Sequence, residues 1–270
     1  MIHSDALGHL EKAIALDPHH LAARLALADL YRQGNLLDEA KDILLKAIAG
    51  ETDVPAAHFA LAEILIDEGQ EGQAIKHLLE ASSGDLADAI SRFRLAELLA
   101  AKGQVKAAAD QLENVISLDH FNGEAHFRLA TFLEHPDDFD RVKLLLEIAI
   151  DLLPEDSRPC FHLARLLDKG EKSDREGNIF REPDYTSAKQ RYEQTLHLSP
   201  SHGPANLRLG VIFESEGNIR AAIDCYKKSA KGKGIAGDAH LCLARLALGE
   251  SDHVQVERFL TLAIQEPEVR

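Results

Sequence analysis

Phe59, Phe93, Phe127 and Phe161 stand at equal intervals of 34 residues, each followed two residues later by Leu and then Ala. The surrounding text recurs with them, as AHFALAEIL (57–65), SRFRLAELL (91–99), AHFRLATFL (125–133) and CFHLARLL (160–167). A period in the range of roughly 20–50 residues marks a stack of like units, none of which has a core of its own and each of which buries its apolar face on its neighbours. Such an array has no natural size limit, so the 270 residues are read as one array, 1–270, rather than as separate domains.

Each unit is numbered so that the phenylalanine stands at place 5. The first apolar stripe of a unit then ends in a turn, often with Gly at place 15 (Gly69, Gly103, Gly217). A second stripe follows, built on Ala-x3-large-x2-Ala: Ala6, Leu10, Ala13; Ala40, Leu44, Ala47; Ala74, Leu78, Ala81; Ala108, Leu112, Val115; Val142, Leu146, Ala149; Ala188, Tyr192, Thr195; and Ala222, Tyr226, Ser229. Steps of four and three residues keep each triplet on one helical face, so every unit predicts two helices. Pro18, Pro154 and Pro200 follow three of these stripes and forbid their continuation.

These residues resemble the tetratricopeptide repeat, a helix-turn-helix of 34 residues patterned W-x2-L-G-x2-Y, then A-x3-F, A and P. The resemblance runs from Ala6 to about Pro267. At place 4 the family's Trp becomes Arg24, His58, Arg92, His126, Cys160, Asn206 and His240, and the Gly of place 8 is kept only at Gly210. The resemblance implies an all-α, right-handed superhelical solenoid of antiparallel helix pairs, about seven pairs plus one N-terminal helix, with the first helices lining the concave surface. The expected divisions are a lone second-type helix at 4–16, regular repeats at 19–168, an inserted polar loop at 169–183 and the remaining repeats at 184–267. The lone helix leaves Leu7, Leu10 and Ile14 half covered, as a cap, as the edge of a longer protein, or as a contact with another copy. The insertion carries one apolar pair, Ile179 and Phe180. A two-residue extension falls at 201–204, and Phe259, Leu260 and Leu262 close the last second-type helix.

Charge and composition exclude several functions. The net charge of −15 argues against a nucleic-acid ligand, because phosphate binding calls for concentrated Lys and Arg. That charge is uneven, falling from −10 to −5 to 0 through successive thirds of the chain. No segment approaches the roughly 20 apolar residues of a membrane helix, and the first residues lack a signal-peptide pattern. Cys160, Cys225 and Cys242 have no CxxC spacing and an odd total, which points to a reducing, cytoplasmic setting. There is no phosphate loop, GxSxG or HExxH, so no catalytic residue, cofactor or metal is expected. His58, His126 and His240 recur at place 4 and read as packing residues, and His19 and His20 as a solvated pair. The Asp137, Asp138, Asp140 cluster reads as a turn in which Asp138 caps the next helix. The basic run at 227–234 reads as a helix C-terminus opposing the helix dipole.

The first-helix columns are the candidate site. Places 4, 7, 8 and 11 are expected to face the core, which puts places 5, 9 and 12 on the adjacent stripe. Place 5 holds Leu25, Phe59, Phe93, Phe127, Phe161, Leu207 and Leu241; place 6 includes Arg94, Arg128 and Arg208; place 9 runs from Asp29, Glu63 and Glu97 to Arg165 and Arg245. The expected function is a non-catalytic scaffold that grips a protein or peptide segment on Phe59, Phe93, Phe127 and Phe161. Glu63 and Glu97 would meet basic groups, and Arg94, Arg128, Arg165, Arg208 and Arg245 would flank the rings or meet acidic groups. The competing use of the rings is to fill the seam between first helices, with Arg94 and Glu97 paired at i,i+3. On the groove reading, Arg128→Glu with Arg208→Glu weakens the partner without unfolding the array. Two other readings stay open: a homo-oligomer assembled through its ends, and the interaction segment of a larger enzyme such as a transferase.

Overall fold

The structure, a computed structural model, describes residues 4–50, 54–83, 89–133, 138–170, 182–232 and 234–265. Among these residues there is no strand, and fifteen α-helices follow one another. They are α1 (Ser4–Leu16), α2 (Leu21–Gln33), α3 (Leu37–Gly50), α4 (Pro55–Asp67), α5 (Glu71–Ala81), α6 (Ala89–Ala101), α7 (Val105–Leu118), α8 (Gly123–Phe132), α9 (Phe139–Leu152), α10 (Ser157–Lys169), α11 (Tyr185–Leu198), α12 (Gly203–Ser215), α13 (Ile219–Ser229), α14 (Ala236–Gly249) and α15 (His253–Gln265). That is one helix followed by seven first-and-second pairs, the number expected from the repeats. The chain divides into two compact units, Met1–Phe132 and Leu133–Arg270. Within the first, α1 packs on α2, and the helices of α2/α3, α4/α5 and α6/α7 lie against each other. Within the second the same holds for α10/α11, α12/α13 and α14/α15.

Six of the seven second-helix triplets form the core as the spacing requires, and the first does not, since Ala6 of α1 is exposed and Leu10 and Ala13 are half-buried. Ala40, Leu44, Ala47, Ala74, Leu78, Ala81, Ala108, Leu112, Val115, Ala188, Tyr192 and Thr195 are all sealed from solvent, as are Ala222, Tyr226 and Ser229. Small residues at both ends of each triplet let the helices close on one large side chain, and burying that side chain contributes about 1.5–3 kcal/mol. On the first helices places 3, 7 and 8 are buried throughout, the expected place 11 is buried in α4, α6, α10 and α14, and place 10 in α4, α6 and α12. Place 4 is split: His126, Cys160 and Asn206 are buried, while Arg24, His58, Arg92 and His240 are half-exposed. The small residue of place 3 (Ala23, Ala57, Ser91, Ala125, Pro159, Ala205, Ala239) takes the deeper position that sequence spacing assigns to place 4.

The turns use positive φ at place 15. Gly69, Gly103 and Gly217 have φ of 74°, 74° and 78°, and Asn35 (58°) and Ser251 (60°) fill the same place without a glycine. Gly210 is kept for a different reason: a Cβ there would lie 2.5 Å from Cε1 of Tyr226, whose ring occupies the place that leucine fills in α3, α5, α7 and α9. Asp138 stands at the start of α9 but its side chain makes no cap hydrogen bond, because its backbone is already helical (φ −87°, ψ 0°). Two histidines cap instead. His20 and His202 accept the Ala23 and Ala205 N–H groups through Nδ1, at 3.4 and 3.1 Å. Leu7, Leu10 and Ile14 of α1 are half-buried, and α15 has no fully buried residue. Ile179, Phe180, Asp137 and Lys233 lie outside the described residues.

Candidate functional site

In the first unit the first helices lie side by side, and their polar residues interlock. Helix geometry places the residue at place 9 of one repeat beside place 6 of the next, which is 31 positions further along. Arg94 Nε donates to Glu63 Oε1 at 2.8 Å in this way, and its Nη1 donates to Glu97 of its own helix at 2.8 Å. Arg128 bridges Glu97 at 3.2 Å and Glu124 at 2.8 Å. Arg32 reaches Glu63 at 3.8 Å and Asp67 at 2.8 Å. The hydrogen bond to Glu97, with Glu63 beside it, pushes the Arg94 pKa further up. Glu63, Arg94, Glu97 and Arg128 therefore form one ladder of alternating sign, and acid here stands opposite base rather than at one end of a free gradient.

The rings divide between packing and exposure. Phe127 is buried at 6% exposure, which assigns it to the seam, while Phe59 and Phe93 are half-buried. The Arg128 guanidinium lies 5.5 Å from the centre of the Phe93 ring, a cation–π contact that holds the arginine over the face.

In the second unit Phe161 is half-buried, and Arg208 and Arg245 each belong to a carboxylate cluster. Asp168, at place 12 of α10, is 5% exposed. Arg208 closes on it in a fork, with Nε at 2.6 Å and Nη2 at 2.8 Å, and the Tyr192 hydroxyl donates to it at 2.9 Å. One repeat later Glu214 takes the same part, accepting from the Tyr226 hydroxyl at 2.7 Å and from Arg245 Nη2 at 2.8 Å. The hydrogen bond to Asp168 drives the Arg208 pKa up, and burial followed by the carboxylate's charge drives the Tyr192 pKa up. Arg208→Glu would set a second carboxylate against a buried one, so that reversal strikes the fold as well as any partner. Asp168, Glu214, Tyr192, Tyr226 and Arg32 escape a reading of places 5, 6 and 9. The one sequence signal of the two carboxylates is Tyr in place of Leu at place 24 of their repeats, although Glu134, also at place 12, is followed by Leu146.

The histidines behave as structural groups. His58 and His77 join Nδ1 to Nδ1 at 3.0 Å, the buried His126 joins the Asn122 carbonyl at 2.9 Å, and His240 stacks on Phe259. Among the described residues no three or more His, Cys, Asp or Glu side chains are grouped to hold a metal ion. Likewise no described helix is long and apolar enough to cross a membrane.

Two stretches of the chain, residues 3–64 and 181–238, match family models described as tetratricopeptide repeat. No curated protein matches by sequence. Among solved structures, the C-terminal part of a TPR repeat-containing protein from Cytophaga hutchinsonii superposes with a TM-score of 0.67 at 16% identity, over 91% of this chain and 96% of that one. PilF of Pseudomonas aeruginosa gives 0.59 at 20% identity, over 76% and 88% of the two chains. YrrB, described as a TPR protein with an unusual peptide-binding site, gives 0.59 at 16% identity, over 73% and 95%. At these identities the likeness is one of fold.

Proposed function

The chain belongs to the tetratricopeptide-repeat family, and from that premise we propose that it is a non-catalytic scaffold that holds an extended segment of another protein on the first-helix faces of its repeats. One observation carries this: Phe59, Phe93 and Phe161 keep part of each ring at the surface, although place 5 could have been sealed as it is at Phe127. Covering the open half of a phenylalanine contributes about 1 kcal/mol, since full burial is worth roughly 1.5–3. Within the first unit Phe59 and Phe93 thus supply about 2 kcal/mol, less than the roughly 4.1 kcal/mol of a millimolar complex. The rings set register, and affinity comes from hydrogen bonds beside them. Arg94, Arg128 and Arg245 remain partly exposed while latched, so their outer N–H groups can still donate to a partner.

The test is site-specific photo-crosslinking in cells. A reactive residue at Ala60, on the first-helix face, is expected to yield discrete protein adducts that the same residue at Leu79, exposed on α5, does not. Identical adducts from both positions, or adducts from position 79 alone, would defeat the proposal.

A further inference from the structure

Arg165 is the exception on the first-helix faces. Of the arginines at places 6, 9 and 12, five are tied to carboxylates: Arg32, Arg94, Arg128, Arg208 and Arg245. Arg165 has no ion pair among the described residues. It is exposed, and its guanidinium carbon lies 5.8 Å from the centre of the Phe161 ring. The same ring gathers two histidines, with His202 from the start of α12 at 4.4 Å between ring centres and His162 at 6.0 Å edge-on. Because His202 Nδ1 accepts the Ala205 N–H, its remaining proton sits on Nε2, where the imidazole can donate. Burial, with the nearby charges of Arg165 and Arg158, holds the His162 pKa below the usual histidine value.

We infer that Phe161, His162, Arg165 and His202 form a docking patch for an acidic segment of a partner protein, one that sets a side-chain carboxylate against Arg165 and a neighbouring apolar side chain against the Phe161 ring. The inference rests on the proposal that the first-helix face binds protein, and it names the class of segment. Charge complementarity selects the occupant. A guanidinium that has only a ring contact among the described residues can fork onto a carboxylate without breaking another ion pair there, whereas the latched arginines would have to leave theirs. The ring between the cations favours an anion carried beside an apolar group over a bare ion.

Fluorescence anisotropy with three short dye-labelled peptides tests this on the full chain: alternating glutamate and leucine, and the same peptide with glutamine or lysine replacing glutamate. The glutamate peptide is expected to bind most tightly. Arg165→Gln should weaken it about tenfold, the loss of a charge-assisted contact, while leaving the glutamine peptide unaffected. Circular dichroism confirms that the variant is folded. Equal affinity for the glutamate and glutamine peptides, or no response to Arg165→Gln, overturns the acidic class. If under that outcome Phe161→Ala still weakens all three peptides, protein binding on this face survives. If none of the three binds, both readings fall.

Discussion

Replacing Arg208 with Met should destabilise the second unit more than any other single change on its first-helix face. The substitution keeps most of the aliphatic stem and removes the two N–H donors at 2.6 and 2.8 Å from a carboxylate whose side chain is 3% exposed. Leaving one member of a buried pair alone costs about 3–5 kcal/mol in general. Here the arginine side chain is 43% exposed, so water can enter the space it vacates, and Tyr192 still donates to Asp168. The expected loss is therefore lower, about 2–3 kcal/mol, the range of hydrogen bonds to a charged group. Arg245→Met is the internal control: its one bond to Glu214 joins a side chain 62% exposed, and pairs of that kind are worth about 0.2–1 kcal/mol. Adding Asp168→Asn to Arg208→Met removes the stranded charge yet keeps an acceptor for Tyr192, and should recover most of the loss. Urea unfolding followed by far-UV circular dichroism at neutral pH provides the comparison. Repeat arrays can melt in stages, so the transition that moves is the one compared. A loss below about 0.5 kcal/mol for Arg208→Met, a loss no greater than for Arg245→Met, or no recovery with Asn would refute the assignment of Asp168 as a buried anion held by Arg208.

Three further outcomes are expected. Gly210→Ala should lower stability by about 1 kcal/mol, because a Cβ 2.5 Å from Tyr226 brings an overpacking cost of about 1–3 kcal/mol that outweighs the roughly 1 kcal/mol gained in helix propensity; with Tyr226→Leu added, alanine becomes the better residue, as urea midpoints of the double-mutant cycle will show. Burial, as the leading cause, lowers the pKa of His58, His77, His162 and His202, so protonation favours the unfolded chain: thermal stability should hold above about pH 6.5 and fall as pH drops below it, and His58→Gln with His77→Gln should flatten that slope. The thiols of Cys160, Cys225 and Cys242 are raised by burial, so the native protein should react slowly with a thiol-specific disulfide reagent and all three thiols should titrate at once in denaturant.

The parts of this fold legible in sequence are those written in a local period. Ala74, Leu78 and Ala81 announce a buried helical face because spacing and residue size agree, and Arg94 with Glu97 is readable because both lie on one helix. Place 3 is less visible, since Ser91 and Pro159 carry no hydrophobic signal and are selected only by closeness to a neighbouring helix. The left-handed turn is hidden wherever Asn35 or Ser251 replaces glycine. The histidine caps have a faint signature, a histidine two residues after Pro18 and Pro200 and three before the amide it caps. The Arg208–Asp168 and Arg94–Glu63 contacts are the least legible, because partners 40 and 31 residues apart meet only after neighbouring repeats have stacked.

That distance also changes what the drift from acid to base along the first helices means. If the charges were free, Glu63 and Glu97 would draw a basic segment, and the arginines of later repeats an acidic one. In the first unit the same geometry that stacks the repeats brings place 9 against place 6, so those charges serve as latches between consecutive first helices. Arginine suits that position, because one guanidinium can hold the previous repeat with Nε and its own helix with Nη1, as Arg94 does at 2.8 Å to each carboxylate. A latch spent on the fold does little to select a partner. Selectivity then falls to residues that break the pattern, where a cation occupies the stripe with no ion pair among the described residues, as at Arg165. Val211 stands at place 9 in the repeat after Arg165, and the next arginine, Arg208, is taken by Asp168. Reversing the charge supplies the decisive contrast: Arg165→Glu should weaken binding of the glutamate peptide and strengthen that of the lysine peptide, and unchanged binding of both would argue that charge at this position has no part in choosing the partner.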